Sequence, residues 1–149
     1  MKNILLTTDL SENSERAFPL AKSFAEKFGA SIYVLAVVED PAQVASVTVM
    51  DQPLAYGPDI QKQIIESIKS DINSLAEKYL SGTNFECVVS EGVSAHSSIL
   101  EFSESHQIDL IIMATQGKAG VKRLFLGSVT EKVSRQAHCP VMLVPPESR

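Results

Sequence analysis

Residues 32–38 read Ile-Tyr-Val-Leu-Ala-Val-Val, seven apolar positions in a row. Successive side chains of a strand face opposite sides, so a strand with one wet face alternates apolar and polar residues. A run without alternation has both faces covered. That is the condition of a central strand in a parallel sheet, where crossover connections lay helices over both faces.

The rest of the chain supplies the neighbours such a strand needs. Residues 3–8 are short, apolar and end in polar side chains, which reads as another buried strand. Asp9-Leu10-Ser11-Glu12-Asn13-Ser14 is turn and helix-cap chemistry. Ala17, Leu20, Ala21, Phe24, Ala25 and Phe28 recur at helical spacing, and Gly29 follows as a C-terminal cap. Residues 41–58 hold three prolines and no period, and are expected to form a surface loop. From Asp59 a long amphipathic helix is marked by Ile60, Ile64, Ile68, Ile72, Leu75 and Tyr79, and Ser81-Gly82 ends it. A strand over 85–90, a helix over 94–106 and a strand over 108–113 follow. A glycine-bearing loop over 114–126, a helix over 128–137 and a strand over 140–144 complete the chain, which Pro145-Pro146 then stops. Alternating strands and helices predict an α/β fold: a single open, mainly parallel five-stranded sheet with helices on both faces. A length of 149 residues with no repeat or linker suits one domain over 1–149.

A formal net charge of -5 gives no general attraction to phosphate backbones, so nucleic acid is not an expected partner. No apolar run reaches membrane-spanning length, and the stretch at 1–6 turns polar too soon for a signal peptide. The expected location is the cytoplasm. Cys87 and Cys139 form no CxxC or CxxH, and are expected to be reduced, buried thiols. His138 beside Cys139 is a poor nucleophile pair, since adjacent strand residues diverge.

Ligands of open parallel sheets bind beyond the carboxyl ends of the strands. That directs attention to Thr7-Thr8-Asp9, to Val37-Val38-Glu39, and to Met113-Ala114-Thr115-Gln116-Gly117. Nine residues after Gly117 comes Gly127-Ser128, where a loop meets a helix. Gly127 lets backbone approach a phosphate closely, and the amides of Ser128, Val129 and Thr130 with the helix dipole favour an anion. The hydroxyls of Ser128 and Thr130 add donors, and Lys118, Lys122 and Arg123 add positive charge. Two readings stand at this point, because Ser128 with Glu131 is also a capping box that any helix can use. Asp9 likewise reads either as a ligand contact or as a cap of the first helix. Neither a Walker loop nor a dinucleotide GxGxxG is present.

Taken together, Thr8-Asp9-Leu10-Ser11-Glu12, Asp109-Leu110-Ile111-Ile112-Met113 and Leu126-Gly127-Ser128-Val129-Thr130-Glu131-Lys132-Val133 before Cys139-Pro140-Val141 resemble the universal stress protein family. The resemblance runs from Ile4 to Val144. The family's ATP-binding branch carries glycine, two residues, glycine, nine residues, then glycine with serine or threonine. This chain matches at Gly117, Gly127 and Ser128, and departs at Ala114, where the branch has glycine, and at Gln116, where it commonly has histidine or arginine. One added methyl group is expected to weaken rather than abolish binding.

The resemblance implies a Rossmann-like sheet of order 3-2-1-4-5. It implies that Thr8 and Asp9 lie at the adenine and ribose end, and that Val37 pairs its backbone with the adenine edge. Ala114 and Gly117 would line the ribose and phosphates, Gly127, Ser128, Val129 and Thr130 would hold the phosphates, and Met113 counts among the binding residues. ATP is the implied ligand, with Mg2+ bridging phosphate oxygens rather than sitting in a protein cage. The expected function is an ATP-binding regulator of the stress response. A nucleotide-free dimeric adaptor and a slow ATPase are the alternatives. No base stands near Gly127-Ser128, so no catalytic residue is expected. A homodimer through the edge strand at 141–144 is also implied, because an apolar edge invites pairing.

Overall fold

The computed structural model describes residues 1–39, 48–49, 52–53, 58–115 and 126–147. Strand β1 (Asn3–Thr7) leads through α1 (Glu12–Glu15) and α2 (Ala17–Phe28) to β2 (Ser31–Glu39). A short ladder of β3 (Thr48–Val49) and β4 (Gln52–Pro53) precedes the long α3 (Pro58–Leu80). Then come β5 (Phe85–Gly92), α4 (Ala95–Ser105), β6 (Leu110–Ala114), α5 (Ser128–Gln136) and β7 (Val141–Val144).

Five strands form one sheet in the order β5-β2-β1-β6-β7, every neighbouring pair parallel. Numbered among themselves, these are 3-2-1-4-5. The chain winds outward from β1 to β2 and β5, then returns to lay β6 and β7 on the other side. The winding therefore reverses between β1 and β6, and a crevice opens at their carboxyl ends.

The unbroken apolar run of β2 is explained by two separate cores. Ile32 and Val34 pack with Ile4, Leu6, Leu110 and Ile112 under α2 and α3. Tyr33, Leu35 and Val37 pack with Leu5, Ile111 and Met113 under α4 and α5. Each such side chain, once fully buried, contributes about 1.5–3 kcal/mol.

Local differences from the expected elements have physical causes. The first helix breaks at Arg16 because Pro19 has no N–H to offer the carbonyl of Glu15, and its ring crowds that carbonyl. Phe18, outside the expected apolar recurrence, is fully buried against Tyr79 with ring centroids 5.6 Å apart, whereas Phe28 is half exposed. Within the stretch expected to be a loop, β3 and β4 pair antiparallel, with Thr48 opposite Pro53. Strand β5 runs two residues further than expected, to Gly92, because β2 continues beside it to Glu39. Gly29 and Gly82 take left-handed backbone, at φ 64° and 89°, and end their helices as read from sequence. Among the described residues no helix is long and apolar enough to cross a membrane.

Candidate functional site

Backbone geometry at the strand ends explains why the crevice is polar. The N–H of Thr8 donates to the carbonyl of Leu35 at 3.0 Å, the last bond between the ends of β1 and β2. Successive strand residues turn their backbone groups to opposite edges. Val37, two beyond Leu35, therefore directs its N–H and C=O to the β1 side at a level where β1 has ended at Thr7. Val37 thus brings a backbone donor and acceptor to the border of the crevice.

The opposite wall is the start of α5. Gly127 is the N-cap, with extended backbone at φ -60° and ψ 153°, and among the described residues no side chain caps the helix. The N–H of Glu131 makes the first helical bond, to Gly127 O at 2.9 Å. The amides of Ser128, Val129 and Thr130 lie ahead of it, in the turn that has no intrahelical acceptor. The capping-box reading of Ser128 and Glu131 is corrected here: Ser128 is the first helical residue rather than the cap. The Glu131 carboxylate instead meets Arg135 at 3.1 Å.

A Cβ added at Gly127 would come no closer to the described residues than 3.5 Å, to Thr115 O. Neither φ nor local packing requires a glycine there. A ligand drawn close to the backbone would.

Thr130 needs a second correction. Its hydroxyl donates to Ala114 O at 3.2 Å, tying the helix start to the end of β6, so only its amide serves an anion. Ala114 itself is the last residue of β6, in register with Val144. Its backbone is ordinary strand, so alanine strains nothing.

Across the crevice, Asp9 does not cap α1 directly. Its Oδ1 accepts from Ser11 N at 3.0 Å and from the Ser11 hydroxyl. Ser11 is the N-cap, accepting from Ser14 N at 3.2 Å. Leu10 turns the corner in left-handed backbone at φ 63°.

These walls enclose a cavity of about 270 Å³. Thr8, Asp9, Val37, Met113, Ala114, Gly127, Ser128, Val129 and Thr130 all border it. Gly117, Lys118, Lys122 and Arg123 lie outside the described residues. The volume is near the lower end of the range small-molecule sites span.

Sequence reasoning missed Ser14, Ala95 and Ile99, which also border the cavity. Ser14 carried a signal, its spacing from Ser11, but that was absorbed as cap chemistry. Ala95 and Ile99 sit one turn apart on α4, and only the sheet brings them beside β2. Glu39 was missed as a closure: its Oε1 accepts from Ala95 N at 3.0 Å. Of the two helix starts bordering the crevice, that of α4 thus holds a carboxylate, while that of α5 has no side-chain cap among the described residues.

The remaining candidates do not join the site. Cys87 and Cys139 are half-buried rather than buried. Burial, then Glu77 and Glu86, pushes the Cys87 thiol up to about 11, and burial raises Cys139. Both thiols are therefore protonated at neutral pH and poor nucleophiles. His106 is exposed and stacks on Phe102 with centroids 3.7 Å apart. Among the described residues no three His, Cys, Asp or Glu side chains gather to hold a metal ion.

The family model described as the universal stress protein family matches residues 1–145. The chain belongs to the universal stress protein family. Among its curated relatives is universal stress protein MJ0531 of Methanocaldococcus jannaschii, 34% identical over 143 residues, covering 96% of this chain and 81% of that protein. Among solved universal stress protein folds, that of hypothetical protein MJ0577 superposes with a TM-score of 0.82 at 26% identity, covering 99% of this chain and 98% of that one. A universal stress protein solved with cAMP has a TM-score of 0.67 at 21% identity, covering 97% of this chain and 96% of that one. One from Archaeoglobus fulgidus solved with dAMP has 0.61 at 18%, covering 96% and 97%. At that identity the last two speak for the fold.

Proposed function

We propose that the chain works as one adenine-nucleotide-binding domain, that its ligand is ATP, and that it serves as a regulatory protein of the stress response. The observation that carries this reading is a cavity bordered on one wall by a helix start that no described side chain caps, and on another by the backbone of Val37 beyond the end of the β1–β2 ladder. Amides at a helix start stabilise phosphate. A strand edge offering one donor and one acceptor matches an adenine edge, which presents both. Two proteins of the same fold have been solved with cAMP and dAMP, which makes adenine nucleotides the class to test first.

In this reading Ser128, Val129 and Thr130 hold phosphate through their amides, and Gly127 lets it approach. Asp9 and Thr8 face the ribose and adenine, and Gly117 would line the phosphates. Met113 and Ala114 floor the site between them. Mg2+ would be held through phosphate oxygens rather than in a protein cage. The cytoplasm is the proposed location, which suits two free, protonated thiols.

Dimerisation through β7 belongs to the same proposal. Ile111 and Thr115 donate to Pro140 O and Val144 O, so these residues face β6. Val141 and Leu143, between and alternating with them, present N–H and C=O to the open edge. Two such edges can pair about a two-fold axis.

The test is direct. Protein purified without added nucleotide is denatured, and the supernatant is run on ion exchange. ATP or ADP should be released by the wild type and be absent from Gly127→Val, whose fold should persist. Equal nucleotide from both proteins would show the phosphate site to be elsewhere. None from either, with no binding of added ATP, would favour the adaptor alternative.

A further inference from the structure

Ser14 and Thr8 are buried, polar and border the cavity, and their hydroxyl protons can be traced. The Ser14 hydroxyl donates to Ser11 O at 2.8 Å, an oxygen that can only accept. Ser14 has no second proton, so in its 2.8 Å bond with Thr8 the donor is the Thr8 hydroxyl. Thr8 Oγ1 in turn accepts from Leu10 N at 3.1 Å. Ser11 spends its own hydroxyl proton on Asp9. The hydroxyl protons of Thr8, Ser11 and Ser14 are therefore all directed into the protein. What the Thr8 and Ser14 hydroxyls have left to offer is lone pairs, one on each.

We infer that Ser14 is a positioning residue that makes the Thr8–Ser14 part of this wall accept hydrogen bonds only, so that the site selects ligands presenting hydroxyl or amine donors here. The inference rests on the nucleotide reading and adds a selectivity to it. A ligand carbonyl or phosphate oxygen placed at this wall would meet lone pairs and lose its water without replacement, which costs more than a missing contact. The opposite wall at α5 offers amide donors, so the two walls together fix the ligand's direction. On a purine nucleotide the matching donors are the ribose hydroxyls and the exocyclic amine. Ser14 has no need to touch the ligand to do this. It holds the Thr8 proton away.

The experiment measures affinity by calorimetry for ATP, 2′-deoxy-ATP, 3′-deoxy-ATP and ITP, which removes the amine and substitutes a carbonyl. For the wild type, at least one of the three analogues should bind about tenfold more weakly than ATP, and which one identifies the donor. In Ser14→Ala the Thr8 hydroxyl is released to turn outward, and the ratio should shrink to about threefold or less. A residue of merely structural importance would weaken all four ligands together and leave the ratio unchanged. Thr8→Val removes the acceptor itself while keeping the shape, and should shrink the same ratio. It decides the matter if Ser14→Ala fails to fold by circular dichroism. Wild-type protein binding all four within about threefold, or variants that preserve the wild-type ratio, would overturn the inference and leave nucleotide binding standing. Wild-type protein that binds none of the four would instead remove the nucleotide reading itself.

Discussion

Two glycines illustrate how differently the same residue can be used. At Gly92 an added Cβ would lie 2.1 Å from Ser98 Oγ, a distance real atoms do not tolerate. The hydroxyl must rotate away and β5 must adjust, so Gly92→Ala should cost about 1–2 kcal/mol in urea denaturation. Adding Ser98→Ala should recover most of that loss, because the only atom in the way is gone. If the double variant is as unstable as the single one, the steric account is wrong. At Gly127 the nearest contact with a described residue would be 3.5 Å, and the backbone is one that any residue adopts. Gly127→Ala should therefore leave stability within about 0.5 kcal/mol of wild type. Its effect belongs to the ligand alone.

Among the elements, β1 and β6 are pinned together where both begin. Asp109 accepts from Lys2 N at 2.6 Å and Asn3 N at 2.9 Å, and these amides hold its carboxyl below the usual range. A carboxyl whose pKa is depressed on folding adds stability that is fully present above its unfolded pKa. That stability fades as pH falls toward the folded value. Asp109→Asn should thus be less stable than wild type at neutral pH, and the two should converge in strong acid. The group is exposed, so the difference is small. Strand β7 makes the second prediction at this scale. Leu143 turns its N–H to the open edge, so Leu143→Pro removes a donor that β6 does not use. Under the dimer proposal light scattering should then report a monomer, with melting little changed. A dimer that survives this change uses another surface.

For the whole molecule, folding and ligand binding are linked. ATP that binds only the native state raises its stability with concentration, by about 2.7 kcal/mol at a hundredfold excess over Kd. Melting temperature should therefore climb with added ATP for wild type and stay flat for Gly127→Val. The sequence alone determined the architecture, because the period of its apolar residues is a direct record of what each element must bury. The non-alternating run at β2 demanded cover on both faces, and two helices were found on each. It also determined which strand ends matter, since the winding follows from element order. Three things it left open for the tertiary structure. The competing cap reading at Ser128 was settled by one residue of helix phase, which places Gly127 at the cap. Glu39 at Ala95, and Ala95 and Ile99 at the cavity, depend on α4 reaching the end of β2, a contact with no local signature. The direction of each hydroxyl proton around Thr8, Ser11 and Ser14 depends on who lies within bonding distance. Burial is a property of residue type and spacing, and sequence carries it. Hydrogen-bond direction is a property of positions in space, and only the folded chain assigns it.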